Sequence, residues 1–289
     1  MSQPLNQLLQ IMRKLRDERD GCPWDRSQTF ASIAPSTLEE AYEVIDAIER
    51  NDLPHLKDEL GDLLFQVVFH SQMAQELGEF RFDDVAAAIC AKLIRRHPHV
   101  FAREPNGNPQ LSAEQQSQDW EALKAREREH AAGCAPVSHL DGVPRALPAV
   151  IRAVKLSKRA ARVGFDWDRP EETAAKVAEE LQEVLQAVRD NPNAGPSANV
   201  FEELGDLLFA VANLARKLDV DAEAALRAAN SKFERRFRHM EQAARRAGND
   251  FQALPLPALE ELWNAAKLDE TCAERTSISP FRSRSPRSP

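Results

Sequence analysis

The string Glu59-Leu60-Gly61-Asp62-Leu63-Leu64-Phe65 recurs letter for letter as Glu203-Leu204-Gly205-Asp206-Leu207-Leu208-Phe209. An unchanged repeat of this length within 289 residues marks a duplication, and an internal repeat constrains the fold before any other signal. The match extends in order beyond the string. Gly21-Cys22-Pro23-Trp24-Asp25-Arg26 answers Gly164-Phe165-Asp166-Trp167-Asp168-Arg169, and Glu39, Glu40 and Glu43 answer Glu179, Glu180 and Glu183. Lys92, Arg95 and Arg96 answer Lys232, Arg235 and Arg236; Trp120 and Lys124 answer Trp263 and Lys267. Two copies are too few to stack into a solenoid. The expectation is a tandem pair of homologous units, 1–130 and 149–270, with a linker at 131–148 and a disordered Ser/Pro/Arg tail at 271–289.

Helical spacing dominates both copies. Leu5, Leu8, Leu9, Met12 and Leu15 follow a three-four rhythm, and further helices are expected at 36–50 (capped by Ser36 or Thr37), 54–77, 83–96 and through Trp120. The second copy predicts helices at 149–163, 170–189, 199–218, 221–247 and 257–270, with loops at 103–110 and 190–199. Only 6% of the chain is aromatic, while Ala, Leu, Glu and Arg abound, which favours an all-α fold of two helical-bundle units. A net charge of -8 argues against a binder of nucleic-acid polymers but leaves room for a metal-bridged phosphate ligand. The scattered cysteines fit a reducing compartment. Charged residues break the N-terminal apolar pattern, so no signal peptide is expected. No apolar run suffices to span a membrane, and a cytoplasmic protein is expected.

The repeated segments place acids where acids need a reason. On a helix, positions three or four apart share a face. Glu40 and Glu43 therefore point one way, as do Glu59 and Asp62. If their helices pack antiparallel about the turn at 51–53, four carboxylates converge. Glu180, Glu183, Glu203 and Asp206 repeat the set. A lone E-x-x-E is usually a solvated face. Two such pairs on adjacent apolar helices, twice over, point instead to divalent cations, because hard oxygen ligands suit Mg²⁺ or, as a substitute, Mn²⁺. Gly61 and Gly205 put small residues where helices could approach closely.

Basic and aromatic residues form a second group. Lys232 and Arg236 lie one turn apart, as do Trp263 and Lys267. Metal for some phosphate oxygens, Lys and Arg for others, and an aromatic face for a base are what a nucleoside triphosphate requires. Trp263 is equally readable as a core anchor. Trp24, Trp167 and their neighbouring aspartates are read as structural.

In this arrangement the E-x-x-E and E-x-x-D pairs, set in Thr37-Leu38-Glu39-Glu40-Ala41-Tyr42-Glu43-Val44 and Glu202-Glu203-Leu204-Gly205-Asp206-Leu207-Leu208-Phe209, resemble the MazG-type nucleoside triphosphate pyrophosphohydrolases. The Gly-Cys-Pro-Trp-Asp opening, Arg95-Arg96-His97-Pro98-His99-Val100-Phe101 and Lys232-Phe233-Glu234-Arg235-Arg236-Phe237 are similar to that family too, over about residues 3–268. The resemblance implies an all-α fold, Mg²⁺-dependent cleavage of ribo- and deoxyribonucleoside triphosphates to monophosphate and pyrophosphate, a homodimer, and a role in cleaning or controlling nucleotide pools. By position it makes Glu180, Glu183, Glu203 and Asp206 metal ligands, Lys232 and Arg236 phosphate contacts, and Trp263 and Lys267 the rest of the nucleotide pocket. Glu40, Glu43, Glu59 and Asp62 are the same ligand set in the first unit.

One difference favours the second unit. Lys176 stands one turn before Glu180 and could reach a phosphate, whereas Ser36 holds that place in the first. The expectation is that the second unit carries most activity and the first serves assembly or regulation. Glu180 or Glu183 would orient or deprotonate the attacking water. A ferritin-like di-iron site needs two E-x-x-H motifs, and the single match is Glu127-Arg128-Glu129-His130. A P-loop NTPase lacks its G-x-x-x-x-G-K-[ST] string here. A non-catalytic nucleotide-binding scaffold is the remaining alternative.

Overall fold

The computed structural model describes residues 3–101, 138–190 and 198–277, with Ser112, Leu123 and Glu127, and side chains as far as Glu270. All regular structure among the described residues is helical. The chain divides into two compact units, Met1–Glu127 and Arg128–Pro289.

In the first unit α1 (Gln3–Leu15), the short α2 (Pro23–Ser27), α3 (Phe30–Glu49), α4 (Leu53–Glu76), α5 (Phe82–Arg96) and α6 (Pro98–Phe101) follow in order. α4 is central and packs on α3, α1 and α5. Its start is set by Asp52, whose side chain accepts from the His55 N–H, with Pro54 in the first turn, where a missing N–H costs nothing. Its end is set by Gly78 in the left-handed region at φ 75°. α3 and α4 run antiparallel. Thr37 Oγ1 lies 2.9 Å from His70 Nε2 and Gln66 Nε2 3.5 Å from Glu40 Oε1, so residue numbers rise on one helix as they fall on the other.

α3 begins earlier than its sequence suggests. Neither Ser36 nor Thr37 caps it; Thr29 does, in a reciprocal capping box with Ser32. Pro35 therefore sits inside the helix, where it forgoes one backbone bond. The capping box and the burial of Ile33 hold the added turn despite that loss. Met12, Ile33, Val68, Phe69 and Met73 form the core, flanked by Leu8, Leu9, Phe65 and Phe82. Fully burying Phe69 and Met12 contributes about 1.5–3 kcal/mol each.

The second unit repeats the plan as α7 (Ala149–Ala161), α8 (Pro170–Asp190), α9 (Ala198–Lys217), α10 (Ala222–Arg246), a 3₁₀ turn (Phe251–Ala253) and α11 (Leu256–Ser277). α9 is the central helix, against α8 and α7, while α10 packs on α11 and α7. α11 continues to Ser277, past the point at which a disordered tail is expected, because Glu270-Thr271-Cys272-Ala273-Glu274-Arg275 still carries helix formers. The Trp120 helix, the loop at 103–110, most of the linker and of the loop at 190–199, and the tail from 278 lie outside the described residues.

The two Trp-Asp segments brace the units differently. In the first, Arg16 pairs with Glu76 at 2.7 Å and donates to the Asp25 carbonyl, tying α1 and α2 to the end of α4. In the second, Asp166 takes Arg216 at 2.6 Å and Lys217 at 3.1 Å. Trp24 and Trp167 themselves are substantially exposed. Gly61 and Gly205 do not mark close helix contacts: a Cβ at either would meet nothing within 4 Å. Among the described residues no helix is long and apolar enough to cross a membrane.

A duplicated carboxylate cluster

The antiparallel α3–α4 and α8–α9 pairs bring the acids together. In the first unit, oxygens of Glu40, Glu43 and Glu59 lie within 4.8 Å of one another; in the second, those of Glu180, Glu203 and Asp206 do. Asp62 and Glu183 stand just outside the tight triads and act on them electrostatically. Glu59 and Glu180 are buried, Glu40 and Glu203 half-buried, Glu43 and Asp206 exposed. Each cluster is therefore open on one side and dry on the other.

This crowding leaves its mark on protonation. Burial, then the charges of Asp62 and Glu43, hold the Glu40 carboxyl above its ordinary range, against a hydrogen bond from Gln66. Burial likewise raises Glu59; His55, 3.1 Å away, opposes it and Glu43 reinforces it. Glu183 is raised first by its hydrogen bond to Glu180, a contact carboxyl groups make only when one keeps a proton, and then by burial. Anions packed this closely want a cation, and carboxylate oxygens are the donor set that Mg²⁺ and Mn²⁺ accept. Glu180, Glu203 and Asp206, with Glu183 beside them, fit such an ion.

Three neighbours of the clusters make contacts that the sequence reading does not assign, one of them, Lys176, a residue it names. Lys176 Nζ sits 2.8 Å from Glu180 Oε1 and 3.0 Å from Glu179 Oε1, and these contacts push its pKa up. The predicted phosphate ligand is thus engaged by a predicted metal ligand. In the first unit His55 and Gln66 take carboxylates instead, where the second has Asn199 and Ala210. The offsets from the repeated string expose both differences once the helices are known to meet.

The basic group assembles as a separate cluster on α10 and α11. Arg236 Nε is 2.8 Å from Glu270 and Arg235 Nε 3.4 Å from it, which holds the Glu270 carboxyl below its ordinary range. The Arg236 guanidinium lies 5.6 Å from the Trp263 ring centre, Lys267 Nζ 6.0 Å, and the Phe233 ring leans on the same indole at 5.4 Å, tilted by 47°. Trp263 is thus both half-buried anchor and cation platform. Lys232 is exposed. The structure unites Arg236, Trp263 and Lys267, and gives Arg236 a carboxylate partner of its own rather than an acid of the cluster. Arg95 and Arg96 close on Glu127 at 2.6 and 2.5 Å in the same way, pulling that carboxyl down to about 2. Glu127 and Glu270 stand at equal spacing after Trp120 and Trp263, a signal present in the sequence.

Two copies of a helical unit, each with a carboxylate cluster between antiparallel helices and a basic cluster beyond, define the class. The MazG nucleotide pyrophosphohydrolase domain matches residues 28–101 and again 168–241, and the chain belongs to that family. It is 51% identical over 273 residues to the nucleoside triphosphate pyrophosphohydrolase of Escherichia coli K12, covering 92% of this chain and 98% of that protein. It is 41% identical over 261 residues to a nucleoside triphosphate pyrophosphohydrolase/pyrophosphatase MazG from Thermotoga maritima, covering 90% and 94%. A crystal structure of a MazG-related protein from Thermotoga maritima aligns over 42% of this chain and 98% of that one, with 26% identity and a TM-score of 0.34.

Proposed function

We propose that the chain hydrolyses ribo- and deoxyribonucleoside triphosphates to the monophosphate and pyrophosphate, with the second unit as the main catalytic site. The observation that carries this reading is the convergence of Glu180, Glu203 and Asp206 within 4.8 Å in a family of nucleotide pyrophosphohydrolases. Glu180, Glu183, Glu203 and Asp206 would hold Mg²⁺, or Mn²⁺ in its place. When bound, that ion supplies charge for the phosphate oxygens and a water of lowered pKa. Glu183, which shares a hydrogen bond with Glu180, or Glu180 itself, would orient or deprotonate the attacking water. Lys176, Lys232, Arg236 and Lys267 offset charge on the phosphates, and Trp263 contributes to the nucleotide pocket.

A regulatory or assembly role for the first unit is supported by His55 and Gln66, which occupy its carboxylates, and by Ser36 in the place of Lys176. A homodimer is supported by the face of α9 around Gly205. Phe201, Leu204 and Leu208 are 79%, 45% and 59% exposed there, and a Cβ at Gly205 meets nothing. A cytoplasmic setting agrees with Cys22 and Cys90 being free thiols.

The test is a product assay on canonical and modified nucleoside triphosphates with Mg²⁺. Pyrophosphate is expected; orthophosphate alone means an ordinary NTPase, and neither product means a binding scaffold. Sedimentation of Leu208→Asp beside wild type tests the dimer.

A further inference from the structure

Each unit sets one carboxylate on two adjacent arginines, and the two copies do it differently. Trp263, Lys267 and Glu270 lie at i, i+4 and i+7, so α11 presents all three along one face. That face meets α10: Phe233 leans on the indole, the Arg236 guanidinium lies over it, and Glu270 pairs with Arg236. Trp120, Lys124 and Glu127 stand in the same order in the first unit, and Glu127 closes on the matching pair, Arg95 and Arg96.

Glu127 engages two donors on each guanidinium. Arg95 donates to Glu127 Oε1 through Nε at 2.9 Å and Nη2 at 2.6 Å; Arg96 donates through Nε to Oε1 at 3.4 Å and through Nη2 to Oε2 at 2.5 Å. Glu270 takes less. Arg236 donates to its Oε2 through Nε alone, at 2.8 Å, and Arg235 Nε stands 3.4 Å from Oε1. Nη1 and Nη2 of Arg236 make no hydrogen bond to any described residue, although the side chain is only 19% exposed, and neither nitrogen is closed off from solvent. A guanidinium carries its five N–H donors in a fixed plane, so anchoring it at Nε fixes the direction of the rest. The free terminal pair is the edge that meets two phosphate oxygens at once.

Resting on the function proposed above, we infer that Glu270 is a positioning residue: it holds Arg236 by Nε over the Trp263 ring so that the terminal nitrogens meet the phosphates of a nucleoside triphosphate. Glu270 touches no substrate and acts through Arg236. Its carboxyl, kept below the ordinary range first by the hydrogen bond from Arg236, is ionised near neutrality, which makes that bond a charge-assisted one. Fixing the guanidinium before the ligand arrives removes the entropy cost of ordering it in the complex. Glu127 makes the opposite use of the same position: with Nε and Nη2 of both arginines engaged, less of either guanidinium is left for a phosphate in the first unit. A plain tie between α10 and α11 needs no such difference, and His239 beside Asp269, at 3.3 Å, already provides one.

The test is a double-mutant cycle on the full chain, with Mg²⁺ and a nucleoside triphosphate. Glu270→Ala should raise KM about tenfold or more, with kcat within about threefold, and should do nothing further in an Arg236→Ala background. Glu270→Gln, whose side-chain oxygen still accepts from Nε, should restore KM to within about threefold of wild type. Asp269→Ala, which cuts the neighbouring α10–α11 contact without touching Arg236, and Glu127→Ala should each leave KM within about twofold. Thermal melting checks folding. If Glu270→Ala melts too early to assay, the cycle is run with Glu270→Gln, where a rise in KM of about threefold, absent beside Arg236→Ala, is the expected result. Titration calorimetry with inorganic tripolyphosphate and Mg²⁺ needs no turnover: Kd should weaken about tenfold or more in Glu270→Ala and in Arg236→Ala, and no further in the pair. If wild type releases pyrophosphate yet Glu270→Ala keeps KM within twofold, or loses the same factor with and without Arg236, the positioning role is wrong and the proposed activity survives. A lower KM in Glu270→Ala, the mark of a carboxylate that competes with phosphate, also overturns it. If wild type releases no pyrophosphate but tripolyphosphate binding follows the cycle, the positioning role survives and the proposed activity fails.

Discussion

Lys176 Nζ lies 2.8 Å from Glu180 Oε1, one helical turn further on, and Glu180 is the buried member of the second carboxylate triad. The ammonium stands in for part of the charge a divalent ion would bring, and it must yield to one. Removing it separates two roles. In Lys176→Met, half-saturation by Mg²⁺ is expected at an equal or lower concentration, because a competitor is gone. kcat/KM for a triphosphate is expected to fall about tenfold or more, because a phosphate contact is lost. Isothermal titration with Mg²⁺ and initial rates check the two halves. A weaker metal site in this variant would contradict the assignment.

The two triads are predicted to be unequal. Glu203→Gln keeps the shape but loses a ligand charge, and should cut pyrophosphate release by about 10²-fold or more at saturating Mg²⁺. Glu59→Gln removes the corresponding carboxylate in the first unit, where His55 already engages it, and should change kcat less than about threefold. Equal losses in both variants would show that both units are active.

Metal binding should depend on pH in a defined direction. Glu40, Glu59 and Glu183 have carboxyl pKa values above the ordinary 4.5. A carboxyl raised in the folded state favours folding below its unfolded value, and that contribution disappears as pH rises through the folded value. Without metal, these groups therefore work against the fold as pH climbs from about 4.5 toward neutrality. An ion that needs them ionised helps most at the upper end. The rise in Tm produced by Mg²⁺ is expected to be larger at pH 7.5 than at pH 5, by scanning calorimetry. A larger rise at pH 5 would mean that these carboxylates are not the ligands.

Asp166 provides a stability test remote from the triad. Burial opposes its ionisation, but hydrogen bonds from Arg216 and Lys217 prevail and hold its carboxyl below the ordinary 3.8. A lowered carboxyl stabilises above its unfolded value and loses that as pH falls through the folded one. Asp166→Asn leaves Arg216 and Lys217, which are 15% and 13% exposed, without their counter-charge, and should cost about 1–3 kcal/mol at pH 7. Urea unfolding measures the loss, which should narrow below pH 4.

Much of this molecule was legible before any coordinates. The repeated Glu-Leu-Gly-Asp string declared two like units. Its three-residue acid spacing, in an apolar helical rhythm, announced carboxylates sharing a face, and α4, α5 and α8 through α10 begin and end within a few residues of where capping and proline chemistry place them. Local rules fix such features, because cap, periodicity and i,i+3 geometry involve neighbours in the chain. Even so, α3 ran past its expected start, since a capping box at Thr29 outweighed Pro35, and α11 ran past residue 270. What only the tertiary structure decided are relations between residues far apart: His55 and Gln66 meeting the first triad across the α3–α4 contact, Glu270 claiming Arg236, and open space above Gly61 and Gly205. The unequal grip of Glu127 and Glu270 belongs with these. Their spacing after Trp120 and Trp263 is the same, but which edge of a guanidinium a carboxylate meets is decided only when residues distant in sequence are packed side by side.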